Sequence, residues 1–149
     1  MAFFLGLLSM GALLYAIGWL TQTPYLLNTH HDALLATAFM FVLVGLLHLR
    51  KPEQLTYMVP TFMPNARLLV LLSGGAEIIG GIGLLFPATS VWAAWELIIL
   101  LVALFPANIN VAVHHLPAPG GLPAKPWYTW SRLLFQPLYI LWIWYAALV

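Results

Sequence analysis

The chain has 149 residues, 63% of them hydrophobic and 6% charged, with a net charge of +1. No soluble domain of this length buries that much apolar surface, so the composition excludes that class and points to a polytopic membrane protein. A net charge of +1 says nothing about nucleic acid, which is not among the expected partners. The absence of cysteine excludes disulfides, thiol redox chemistry and thiolate metal sites.

Residues 2–20 form the first expected span, although Gly6, Gly11 and Gly18 lower its helix propensity. No basic stretch precedes it, so it does not read as a cleaved signal peptide. The second span is expected at 33–49, the third at 67–85, the fourth at 91–113 and the fifth at 128–148. These are continuous apolar runs without period-two alternation, which indicates helices and not a barrel. The expected fold is therefore an all-α membrane protein, a bundle of about five transmembrane helices in one domain over residues 1–149. No internal repeat is visible.

The connections carry information. Pro87-Ala88-Thr89-Ser90 reads as a tight turn that makes spans three and four a helical hairpin. The segment 50–66 holds Pro52, Pro60 and Pro64, with Tyr57, Met58 and Phe62 among them, and is expected to lie at the membrane interface. The segment 115–126 is rich in proline and glycine.

With five spans, Arg50, Lys51, Arg67, Lys125 and Arg132 all fall on one side. Basic residues favour the cytoplasmic side, which places the N-terminus in the cytoplasm and the C-terminus outside. The expected location is a bacterial cytoplasmic membrane. Trp19, Trp92, Trp95, Trp142 and Trp144 then fall near the outer surface, and Trp127, Tyr128 and Trp130 near the inner.

Polar residues inside the spans are the candidate functional groups. Glu77 sits in an apolar run with no other charge, and Glu96 repeats this in the next span. A charge at the centre of a bilayer costs roughly 2.5 kcal/mol or more, so each needs a partner or a function. Ser73, Gly74, Glu77, Gly80, Gly81 and Leu84 share one helical face. Its small residues let a neighbouring helix approach. Tyr128, Arg132, Gln136 and Tyr139 share a stripe on the last span, and Arg132 is long enough to reach Glu77. The alternative for Arg132 is an interfacial anchor that snorkels to phosphates. Pro106, Asn108 and Asn110 suggest that the fourth span is broken beside a polar pocket. The candidate pocket is His48, Glu77, Asn108, Arg132 and Gln136, with Glu96 and Asn110 as secondary candidates.

His114-His115 and His48 can approach one another on the cytoplasmic face, which makes a haem or metal site conceivable, but a b-type haem usually wants histidines facing each other inside the bundle, so no metal is expected; His30-His31-Asp32 reads as an exposed loop in which Asp32 caps the second span. No phosphate-binding, zinc-protease, serine-hydrolase or dinucleotide motif occurs.

Taken in order, His48, Pro52, Met58-Val59-Pro60, Ser73-Gly74, Glu77, Gly80-Gly81, Phe105-Pro106-Ala107-Asn108, Arg132 and Gln136 resemble the DoxX-like family of small membrane proteins. The resemblance covers the chain from about His48 onward. It implies a four-helix core with the N-terminal span as an addition, and it implies the five pocket residues position by position. Glu96 is not part of the pattern.

Three functions stay open at this level. The favoured expectation is an accessory subunit of a redox or respiratory membrane complex that contacts quinone, with no covalently bound cofactor. A proton or small-solute transporter is the second, with Glu77, Glu96 and His48 as relay groups. The third is a structural or assembly protein without its own activity. The expected partners are the lipid bilayer and either other membrane subunits or further copies of the chain.

Overall fold

The computed structural model describes residues 2–117 and 125–149. Within the segment 115–126, residues 118–124 lie outside the described residues. The described chain is helical throughout: α1 (Ala2–Thr21), α2 (Pro24–Leu27), α3 (Thr29–Arg50), α4 (Ala66–Gly83), α5 (Ser90–Ala103), α6 (Phe105–Val113) and α7 (Pro126–Leu148). Two 3-10 turns, Pro52–Gln54 and Thr56–Met58, lie between α3 and α4.

Four stretches are long and apolar enough to cross a membrane: α1, α3, α4, and α5 with α6 taken together as Ser90–Val113. The expected fifth span is a helix, α7, but it is not among the four. Its length suffices; Arg132, Gln136, Pro137 and its tyrosines and tryptophans make it more polar than the others.

The expected span at 33–49 begins earlier, at Thr29. Asn28 is the reason. Its side chain accepts from the backbone N–H groups of His30 and His31 at 2.9 and 3.3 Å, which is the capping role that sequence reading had assigned to Asp32. The His30-His31-Asp32 triplet is therefore the first turn of α3 and not a loop. The His30 ring stacks on Tyr145 and the His31 ring on Tyr25, with centroids 4.3 and 4.1 Å apart.

The core lies where α3, α4, α5 and α7 meet, around Ala38, Phe41, Leu84, Ala94, Leu97 and Ile143. Trp142 is half-buried, and its indole N–H donates to the buried Thr37 hydroxyl at 2.9 Å. The hairpin turn after α4 is tied by Thr89, whose hydroxyl donates to the Gly83 carbonyl at 2.8 Å. Helix α1 packs into the bundle through Phe3, whose ring lies 5.2 Å from Phe41 and 5.0 Å from Tyr139.

Helices α3 and α4 come together through glycine. A Cβ on Gly45 would sit 2.6 Å from the Gly74 carbonyl oxygen, and one on Gly74 would sit 2.6 Å from the His48 Cβ. No side chain fits there, so the backbones approach closely. That approach sets His48 opposite Glu77.

Candidate functional site

The buried face of α4 is Val70, Ser73, Gly74, Glu77, Gly80 and Gly81. Glu77 is 4% exposed, which leaves its carboxyl no water to rely on. Its partner is His48: Nδ1 lies 2.5 Å from Glu77 Oε2. The expected reach of Arg132 to Glu77 is not what forms. The glycine contact brings α3 against α4, and the histidine one turn along from Gly45 arrives first.

A second polar group is built at the break between α5 and α6. Pro106 lacks a backbone N–H, and the helix interrupts at Leu104. The re-started helix presents Asn108 toward α7. Its side-chain amide donates to Gln136 Oε1 at 3.0 Å, and its Oδ1 accepts from Arg132 Nη2 at 3.0 Å. The Gln136 amide in turn donates to the Leu101 carbonyl at the break. Each amide thus donates once and accepts once, and buried polar groups have to be satisfied in this way.

One cavity, ≈ 740 Å³ and open on one side, connects the two groups. His48, Glu77, Asn108 and Arg132 all line it, together with Ser73, Tyr128 and Tyr139. Gln136 does not line it; it is buried, 3% exposed, behind Asn108. The remaining wall is apolar, with Phe3, Met40, Phe41, Val70 and Leu101 among its residues. The segment after α3 covers one side, where Leu55, Met58, Val59 and Met63 also line the cavity. Asn110 holds that cover in place by donating to the Met58 carbonyl at 3.0 Å. Asn110 itself does not line the cavity.

Glu96, on the helix packed against α4, hydrogen-bonds to neither group. Its carboxyl tucks over Gly80, where any Cβ would collide with Oε2, and Oε2 is buried without a hydrogen-bond partner among the described residues. His114 and His115 are exposed, and the His114 ring meets the Asn110 carbonyl at 3.1 Å. Among the described residues no three His, Cys, Asp or Glu side chains gather to hold a metal ion.

Sequence reasoning missed the contribution of Tyr57 and of the Met58 and Leu101 carbonyls. Burial raises the Tyr57 phenol above its ordinary range, and the neighbouring Arg132 partly opposes this. Tyr57 donates to the Pro117 carbonyl, which ties the cover to the end of α6. The signal was present as apolar residues spaced between prolines in 52–64, a pattern of a segment that packs on its own body.

No curated protein and no solved structure matches the chain. A family-level match covers residues 36–147, more than half of the chain, and leaves α1 outside. It is not to the DoxX-like family, so the resemblance drawn from the polar and small residues between His48 and Gln136 is overturned, and the four-helix core it implied is left without support. Glycine faces, buried acids and proline breaks are general solutions to packing helices in lipid, and shared solutions do not make shared descent. The chain belongs to the family described as Domain of unknown function (DUF8561).

Proposed function

We propose that the protein is a small integral membrane protein that holds a lipid-soluble molecule by its polar end, with a quinone as the occupant class, and that it serves as an accessory subunit of a redox membrane complex. The observation that carries this reading is the cavity of ≈ 740 Å³, apolar over most of its wall and polar at Arg132, Asn108 and the His48–Glu77 pair. Ligand sites are typically of this size and this make-up. A quinone offers an apolar ring and chain with carbonyl acceptors at opposite ends. Arg132 supplies N–H donors on one wall, and His48, with Nδ1 engaged by Glu77, keeps Nε2 for the other.

The test is solvent extraction of protein purified in a mild detergent, followed by mass spectrometry of the extract. A quinone at near-stoichiometric amount is expected. Arg132→Gln should lower quinone retention roughly tenfold or more, the worth of a charged hydrogen bond. An extract without quinone, together with no binding of an added soluble quinone analogue, overturns the reading.

A transport role is the second reading, favoured by one observation: Glu96 lies on the helix packed beside Glu77, with its Oε2 buried and without a partner among the described residues. Proton uptake into proteoliposomes that is lost in Glu96→Gln would decide for it.

We propose further that α7 is a fifth span and that the basic residues face the cytoplasm. At ~1.5 Å per residue α7 is about 34 Å long, enough for the ~30 Å hydrocarbon core. The chain contains no cysteine, so single cysteines at Lys51 and Lys125 report without background. Neither should react with an impermeant thiol reagent on intact cells, and both should react after permeabilisation. Reaction at both sites on intact cells inverts the orientation. Reaction at only one of them rejects the topology.

A further inference from the structure

Arg132 is half-buried in the cavity wall and has a neutral hydrogen-bond partner, Asn108. The two ion pairs among the described residues are His48–Glu77 and Glu53–Arg67, and neither includes it. The other two acids are committed elsewhere, Asp32 in the first turn of α3 and Glu96 over Gly80. Two phenols, Tyr128 and Tyr139, line the same cavity as the guanidinium. The Tyr57 phenol is pushed up from its ordinary value by burial, so it supplies no negative charge.

The guanidinium therefore lines a cavity that is apolar over most of its wall, and among the described residues no acidic side chain pairs with it. Withdrawing a charge from water without pairing it is costly. A planar fork of donors is satisfied best by an oxyanion, which accepts two parallel hydrogen bonds. A quinone carbonyl meets one donor and leaves the charge uncompensated.

We infer that the cavity takes an anionic amphiphile, with one carboxylate or phosphate head on Arg132 and a single apolar chain along Met40, Phe41 and Leu101. Charge complementarity selects the head, and the lining selects the chain. The inference names a second occupant class for the same cavity, in competition with quinone, and does not depend on the quinone reading.

The test uses the full chain in a non-ionic maltoside detergent, with calorimetric titration of four probes: palmitate, its methyl ester, dodecyl phosphate and inorganic phosphate. Palmitate and dodecyl phosphate are expected to bind, and the ester and inorganic phosphate to bind roughly tenfold or more weakly. Binding of inorganic phosphate as tight as that of dodecyl phosphate would show a free-anion site and overturn the amphiphile. Ester binding equal to that of palmitate overturns the role of charge. Arg132→Gln should abolish the preference for palmitate over its ester. Arg132→Lys keeps the charge without the fork and should retain part of that preference. Leu101→Trp fills the cavity without touching Arg132, and should weaken both chain-bearing probes. If both Arg132 variants lose the fold, the Leu101→Trp result and the acid-to-ester ratio of the unaltered protein decide. Palmitate binding without quinone binding keeps this inference and removes the quinone reading; quinone binding without a preference for palmitate does the reverse.

Discussion

His48→Ala lowers the stability of the folded protein by about 3 kcal/mol or more, and Glu77→Gln in the same chain restores most of it. The argument starts from burial. Glu77 is 4% exposed, and His48 is its hydrogen-bond partner at 2.5 Å. Removing one member of a buried pair strands the other, and such losses run to about 3–5 kcal/mol. Glutamine carries no charge, so the double variant no longer has a buried carboxyl to satisfy. Unfolding in detergent, followed by helical circular dichroism, measures the cycle. Coupling should be large between 48 and 77 and near zero between 77 and 132, because the Arg132 side chain meets Asn108 instead. A large 77–132 coupling with a small 48–77 coupling would reject the pairing.

Gln136→Leu is expected to cost about 2–4 kcal/mol although it leaves helix length and apolar character intact. Gln136 joins two helices by donating to the Leu101 carbonyl and accepting from Asn108. Leucine is of similar size and fills the space, yet it leaves a half-buried carbonyl and a half-buried amide without partners, at about 1–3 kcal/mol each for fully buried groups and less for these. Gln136→Glu separates the two bonds: a carboxylate still accepts from Asn108 but cannot donate to Leu101. Asn108→Leu measured alone and together with Gln136→Leu gives the coupling. Additive losses at the two positions would show that the chain Arg132–Asn108–Gln136–Leu101 does not act as a unit. Loss of Gln136 should also slacken Asn108, and through it Arg132, so ligand retention should fall along with stability.

The placement of the helices was legible in the sequence because apolar runs longer than a bilayer is thick have few alternatives. The ends of α1, α4 and α7 lie within a few residues of the expected spans. The break at Leu104 was legible because proline cannot complete a helical ladder. The start of α3 was not, since Asn28 and Asp32 are both capable caps and only the path of the chain through α2 decides between them.

The candidate site divides in the same way. That Glu77, Asn108, Arg132 and Gln136 each needed a partner follows from one chain of amino acids and the cost of burying polar groups. Which partner each takes does not follow. Arg132 is long enough to reach Glu77, and the choice of His48 instead rests on how closely Gly45 and Gly74 let two backbones approach. The tertiary structure also decided that Gln136 stands behind the cavity wall and that Asn110 holds its cover. The sequence by itself determined the all-helical class and singled out Glu77 and Gln136 among the buried polar groups, because both depend on composition and local spacing; it did not single out the buried Thr37 and Thr129. Pairing, and with it the uncompensated charge of Arg132, depends on distances between helices, which only packing sets.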